Sequence, residues 1–202
     1  MSLTPTYKKI YKIIQEAHKV FIVAHPECGD ALGSTLAMAD WLSIIKKDYV
    51  VYSNKAVPQS LDFLPKSFEI ISEPDKIQLS DFDVIIILDS NYDRTGLKEK
   101  LQNEVDRHST VIINIDHHIT NDGTEGDIVA IEPKASSATR MLYDFFVTNN
   151  IHITRDMATC LLVGILIDTG NFSNSATDKS SLATSAQLLS RGVPIKIIID
   201  SL

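Results

Sequence analysis

Two cysteines in 202 residues are too few for a disulfide framework, and the chain is long enough to bury a core without one. Cys28 and Cys160 are therefore read as reduced thiols. Apolar residues make up 44% of the chain, yet no apolar run approaches the roughly 20 residues of a bilayer crossing. Basic charge is also short: 19 Lys and Arg stand against 26 Asp and Glu, a net charge of -7. That balance argues against duplex DNA gripped through its backbone and leaves room for a small anionic substrate held by metal. The opening "MSLTPTYKKIYKIIQEAHKV" lacks the uninterrupted apolar segment of a secretion signal, its Lys and Tyr being spaced as in an amphipathic helix. A cytoplasmic protein without membrane association is expected. No internal repeat or low-complexity tract divides the chain, so one domain is the default.

What is present is an alternation of short β-branched runs with longer helical periodicity. Strands are expected at "KVFIVAH", "DYVVYSN", "DVIIILDS", "TVIINIDHH" and "DIVAIEP". Helices are expected over Thr4 to His18, Gly33 to Ile45, Gly96 to Asp106, Ser136 to Asn149, Asp156 to Asp168 and Ser181 to Ser190. An irregular "TGNFSNSATDKS" separates the last two, and an apolar run after Gly192 and Pro194 begins a further element. Strands apolar on both faces and alternating with helices predict an α/β fold, a five-stranded, mainly parallel sheet flanked by helices.

Ligands of such sheets gather beyond the carboxyl ends of the strands. Three predicted strands end in metal-type residues: His25, Asp89, and the run Asp116, His117 and His118. A lone strand-end Asp is more often a turn or helix cap, but three such endings shift the balance. Asp30 and Asp168 add carboxylates, the latter at the end of the apolar "CLLVGILID", where the negative end of a helix disfavours an acid and a cation would relieve it. Carboxylates mixed with imidazoles suit Mn, Co, Mg or Zn. Two such ions bridged by one carboxylate activate water and clamp a phosphoryl group. Gly33 and Ser34, read as a helix start, would offer backbone N–H groups to a phosphate, though Gly-Ser also begins ordinary helices. Arg94, on the loop after Asp89, is the best cationic candidate for a phosphate, with a loop ion pair as the bland alternative.

With "HPECGDALGS", "IIILDS", "NIDHHITN" followed by "EPKASSATRMLYDF", and "GILIDTGNF" in that order, the chain resembles the DHH phosphoesterase family, near the branch of oligoribonucleases and pAp phosphatases. The resemblance implies two divalent ions, manganese first, with Co, Mg or Zn as alternatives. It implies hydrolysis of phosphodiester or phosphomonoester bonds in small nucleotides or very short oligonucleotides. A manganese-dependent pyrophosphatase and a nucleotide-binding module with a degraded metal site are the rival readings. A homodimer is also compatible. Position by position, His25 matches a ligand of the first metal, Asp30, His117 and Asp168 ligands of the second, and Asp89 the bridging carboxylate. His118 matches the histidine facing the substrate phosphate, and Asp116 is placed behind the histidines, orienting one of them by hydrogen bond.

The chain departs from the family pattern in three places. The first motif is one residue short, and Cys28 stands where an Asp is expected. That leaves open Glu27 reaching into the position, Cys28 binding as a thiolate that favours a softer ion, a weak first site, or a small buried thiol. Arg140 stands where Glu is usual and is expected to face solvent. Relatives continue into a smaller C-terminal domain, called DHHA1, so residues 1–192 are read as the catalytic domain and 193–202 as the start of a linker. Without that domain activity is expected to be slow. His18, His108 and His152 are read as surface histidines and Trp41 as a core residue.

Overall fold

The computed structural model describes residues 2–25 and 28–202; Glu27, one of the candidate ligands, lies outside the described residues. Among the described residues, six parallel strands form one sheet in the order β3-β2-β1-β4-β5-β6. They are β1 (Lys19–Ala24), β2 (Asp48–Ser53), β3 (Ile70–Ile71), β4 (Val84–Leu88), β5 (Val111–Asp116) and β6 (Ile128–Ile131). The expected count of five is corrected by β3, which pairs with Val51 and Tyr52 at the sheet edge. Two residues are too few for an alternating pattern to be read.

Strand alternation feeds two apolar layers. Val20 and Ile22 of β1, Val84, Ile86 and Leu88 of β4, and Ile113 and Ile115 of β5 join the larger core. Phe21, Val23, Ile85, Ile87 and Ile112 point into a smaller one with Tyr52, Phe82, Tyr92 and Leu97. Burial on both faces explains the nearly unbroken apolar strand sequences. The larger core is closed by α1 (Thr4–Glu16), α2 (Gly29–Ile44), α5 (Ala138–Thr148) and α6 (Arg155–Asp168). The smaller is covered by α3 (Tyr92–Thr95), α4 (Lys98–Asn103) and the short 3-10 turns Pro74–Lys76 and Leu79–Asp81. The single helix expected over Gly96 to Asp106 is thus two short ones, because Gly96 (φ 70) takes the left-handed conformation that stops α3. The remaining helices are α7 (Lys179–Leu189), with a capping box of Asp178 and Ser181, and α8 (Ile195–Ser201), whose Ile198 is buried in the larger core.

Helices α2 and α6 are apolar nearly all round, as buried helices are. They approach so closely that a Cβ on Gly33 would stand 2.4 Å from the Cys160 carbonyl oxygen. Trp41 is buried against Tyr11, Phe145 and Phe146, as a core residue should be. No helix among the described residues is long and apolar enough to cross a membrane. Both cysteines are free.

The strand order reverses between β1 and β4, whose onward connections run to opposite edges. The crevice outside the carboxyl ends of these strands is the natural ligand site of such a sheet. His25 follows β1 there and Asp89 follows β4.

Candidate metal centre

At the end of β4 the chain turns sharply: Asp89 has φ 54, while its N–H still donates to the Ile115 carbonyl at 3.0 Å. Asp tolerates this left-handed conformation better than most residues. The side chain is 0% exposed, and among the described residues neither carboxylate oxygen receives a hydrogen bond. A buried, undonated carboxylate is costly unless a cation accompanies it.

His117, just after β5, faces that carboxylate. Its Nδ1 lies 3.2 Å from the Ala135 carbonyl, which can only accept, so Nδ1 carries the proton and Nε2 turns inward. Nε2 lies 3.1 Å from Asp168 Oδ2, 3.3 Å from Asp89 Oδ1 and 3.7 Å from Asp30 Oδ2. Burial opposes charging of the ring, but Asp168 and Asp89 outweigh it and push its pKa up to about 11. Three carboxylates around one point demand positive charge.

Asp30, in the first turn of α2, is fully buried and receives the Ala138 N–H on Oδ2 and the Thr139 N–H and hydroxyl on Oδ1, the latter at 2.8 and 2.6 Å. It thus sits on the N-terminus of α5, where amides are free and the dipole favours an anion. Burial, then Asp89 and Asp168, push its pKa well above the carboxylate range, and His117 and then the Thr139 hydroxyl pull the other way. Asp168 closes the site from the last residue of α6.

Asp116 serves differently. Its Oδ1 accepts the backbone N–H groups of His117 and His118 and the His118 Nδ1–H, at 2.7, 3.0 and 2.7 Å, and Oδ2 accepts the Asn121 side-chain amide at 2.7 Å. Burial disfavours its charge, but the bonds from His118 and Asn121 win and hold it below the usual range. The same bond raises the His118 pKa. The other ring nitrogen, Nε2, lies 3.4 Å from Arg94 Nη1. Arg94 makes no ion pair among the described residues; Asp93 beside it pairs with Lys98 at 2.5 Å.

One ligand atom each from Asp89, Asp116, His117 and His118, and likewise from Asp30, His117 and Asp168, falls within 4.8 Å of the others. The undonated Asp89 oxygens and the inward His117 Nε2 are what a hard or borderline divalent ion requires, so the residues fit such an ion. Cys28 is the N-cap of α2, with its Sγ 4.0 Å from Asp168 Oδ1. Burial, then Asp89 and Asp30, push its thiol pKa up.

Two expectations are corrected. Helix α2 begins at Gly29, four residues before Gly33, so Gly33 and Ser34 lie past the free amides of its first turn. Gly33 instead admits the α6 backbone, and the Ser34 hydroxyl donates to the Ala31 carbonyl at 3.0 Å. Arg140 does not simply face solvent: its side chain is 16% exposed, pairs with Asp144 at 2.5 Å and bonds the Ser180 hydroxyl. His18, His108 and His152 are exposed. The sequence reading missed Ala135, Ala138, Thr139, Asn121 and Gly164, which hold or make room for the acids and histidines. Only the serine pair before α5 hinted at a helix N-terminus there.

A cleft of about 450 Å³ opens on His117 and Asp168 and shares Lys134, Ala135, Ser136 and Asp178 with a second of about 400 Å³ reaching Tyr7 and Arg140. Together they are of the size that takes a small organic ligand.

Residues 19–165 match the family model described as DHH family, N-terminal domain. The chain is 29% identical to a bifunctional oligoribonuclease and PAP phosphatase NrnA of Thermus thermophilus, over 98% of this chain and 59% of that protein. It superposes on an exopolyphosphatase-related protein from Bacteroides fragilis with TM-score 0.85 and 25% identity, again over 98% of this chain and 59% of the other. RecJ from Thermus thermophilus in complex with Mn2+ shares the fold at TM-score 0.54 and 14% identity, over 97% of this chain and 31% of that one. The chain thus spans 59% of the length of the first two. With a family match over most of its length and a sheet whose reversal point gathers the acids and histidines, this chain belongs to the DHH family.

Proposed function

We propose that the chain carries the hydrolytic centre of a phosphoesterase acting on small nucleotides or very short oligonucleotides, with residues 1–192 as the catalytic unit and 193–202 as the start of a linker that still packs Ile198 on its core. The observation that carries this reading is Asp89: fully buried, with both oxygens undonated among the described residues, at the strand-order reversal and facing a histidine whose tautomer is fixed. His117, Asp30, Asp89, Asp168 and His25 would hold two divalent ions. When bound, these would supply a nucleophile from water at neutral pH and neutralise phosphate charge.

The protein's own groups do the rest. Asp30 is immobilised by three donors from the start of α5, so its carboxylate needs little reorganisation to bind a cation. Asp116 fixes the His118 ring through Nδ1 and raises its pKa, leaving Nε2 and the Arg94 guanidinium side by side to donate to one phosphate. Such donors stabilise charge that grows on phosphoryl oxygens as water attacks. The adjoining clefts give the nucleoside part a place to lie, and the oligoribonuclease and PAP phosphatase similarity supports a nucleotide as that substrate.

The test is turnover of pAp, of di- and triribonucleotides and of inorganic pyrophosphate by the purified chain with manganese, cobalt or zinc added. Metal-dependent hydrolysis of the nucleotide substrates, lost in Asp89→Ala, is expected. Preference for pyrophosphate, or nucleotide binding without turnover under every ion, would overturn it.

A further inference from the structure

We propose that Cys28 is a ligand of the metal centre, its thiolate joining Asp168 on one ion and turning that position from manganese or magnesium toward a borderline ion such as zinc, cobalt or ferrous iron. This rests on the reading of the carboxylate and histidine cluster as a metal centre. Its first support is position. Cys28 caps α2 with an extended backbone (φ -113, ψ 126), yet its side chain makes no capping bond to the helix. Helices favour Ser, Thr, Asp or Asn there for their oxygen acceptor, so a cysteine does not serve the cap.

The second support is reach. A tetrahedral ion with a metal–sulfur bond of about 2.3 Å and a metal–oxygen bond of about 2.1 Å holds the two donor atoms roughly 3.6 Å apart. The Cys28 thiol donates to Asp168 Oδ1 at 4.0 Å, so the sulfur is already turned toward that carboxylate.

The third is independent of the cysteine. Asp89, fully buried with neither oxygen given a donor among the described residues, lies 3.3 Å from His117 Nε2, which in turn stands 3.1 Å from Asp168 Oδ2. The thiol therefore borders a space already short of positive charge. A thiolate added to this set brings a soft donor among harder ones, and soft donors select zinc, cobalt or iron over manganese and magnesium.

Cobalt(II) reads this directly, because a coordinated thiolate adds a near-ultraviolet sulfur-to-cobalt charge-transfer band that carboxylate and imidazole do not. Cys160, fully buried within α6, is the internal control. The cobalt-loaded chain and its Cys160→Ser variant should show the band. Cys28→Ser should lose it while keeping the visible ligand-field bands, and Cys28→Asp should shift competition between zinc and manganese toward manganese. Ligand-field bands without charge transfer in the unaltered chain would overturn the role of Cys28 and leave the metal centre standing. Failure to take up cobalt at all would overturn both. If Cys28→Ser does not fold, the spectrum of the unaltered chain and the Cys28→Asp competition still decide.

Discussion

Gly164 of α6 forms the floor beneath Asp30 of α2: a Cβ on the glycine would stand 2.5 Å from the carboxylate oxygen Oδ1. It would meet the Thr139 hydroxyl, which donates to that same oxygen, just as closely. Gly164→Ala should therefore both overpack the α2–α6 interface and tilt Asp30 away from His117. Overpacking of this kind costs about 1–3 kcal/mol. Thermal unfolding with and without manganese checks both effects: the melting temperature should fall, and the increment given by the ion should shrink. Gly33→Ala, which clashes with the Cys160 backbone instead, should lower the first while preserving the second.

Ion binding should displace protons at neutral pH, at least one of them from His117. The metal-free His117 ring is protonated there, since its carboxylate neighbours raise its pKa from the ordinary 6.5 to about 11, and a coordinated imidazole must release that proton. Apparent affinity should accordingly rise with pH through the neutral range. Calorimetric titration in buffers of different ionisation enthalpy measures the proton count. The same shift has a sign for stability. The metal-free fold gains from the raised pKa fully below 6.5 and loses that gain as pH climbs through about 11.

Asn121 is expected to act through Asp116. Its side-chain amide donates to Asp116 Oδ2, at 2.7 Å, inside a buried cluster with Asn114 and the Ser90 carbonyl. Asn121→Ala leaves that oxygen short of a donor, a loss of about 1–3 kcal/mol, and loosens the His118 ring. Turnover of pAp should drop while manganese binding stays close to that of the unaltered chain. Loss of ion binding in step with turnover would contradict the assignment.

Arg94 should contribute to substrate rather than to the fold. It makes no ion pair among the described residues, and its Nη1 lies 3.4 Å from His118 Nε2. Arg94→Ala should raise KM for phosphate substrates roughly tenfold or more, in line with about 1.5–3 kcal/mol for a charged hydrogen bond, with the melting temperature unchanged. Arg94→Lys should recover part of this, because lysine keeps the charge but loses the planar fork.

The strand ends were legible because burial on both faces writes each strand as an apolar run, and a polar residue at its end stands out. Thus Asp89 and the residues from Asp116 to His118 could be placed beyond the carboxyl ends of the strands before any coordinates. The helix boundaries were harder. Gly33 looked like a start because glycine and serine are common there, whereas α2 begins at Gly29 and Gly33 is explained by the backbone of a helix more than a hundred residues later. Backbone groups that steer ligands, such as the Ala135 carbonyl and the Ala138 amide, leave no mark in side-chain identity. Arg140 was misjudged for a related reason: its partner Asp144 is one helical turn away, but Ser180 comes from the start of α7.

The donors facing His117 come from the start of α2, the end of β4 and the last residue of α6. No contiguous stretch of chain assembles them, so they converge only after the sheet is in register and α6 has docked. An ion that needs all of them therefore has no counterpart in a partly unfolded chain. Its binding energy opposes the detachment of α6 in particular, because Asp168 would leave with it. Because α6 is buried nearly all round, its detachment amounts to global unfolding, and the lifetime of the protein would track the supply of its metal.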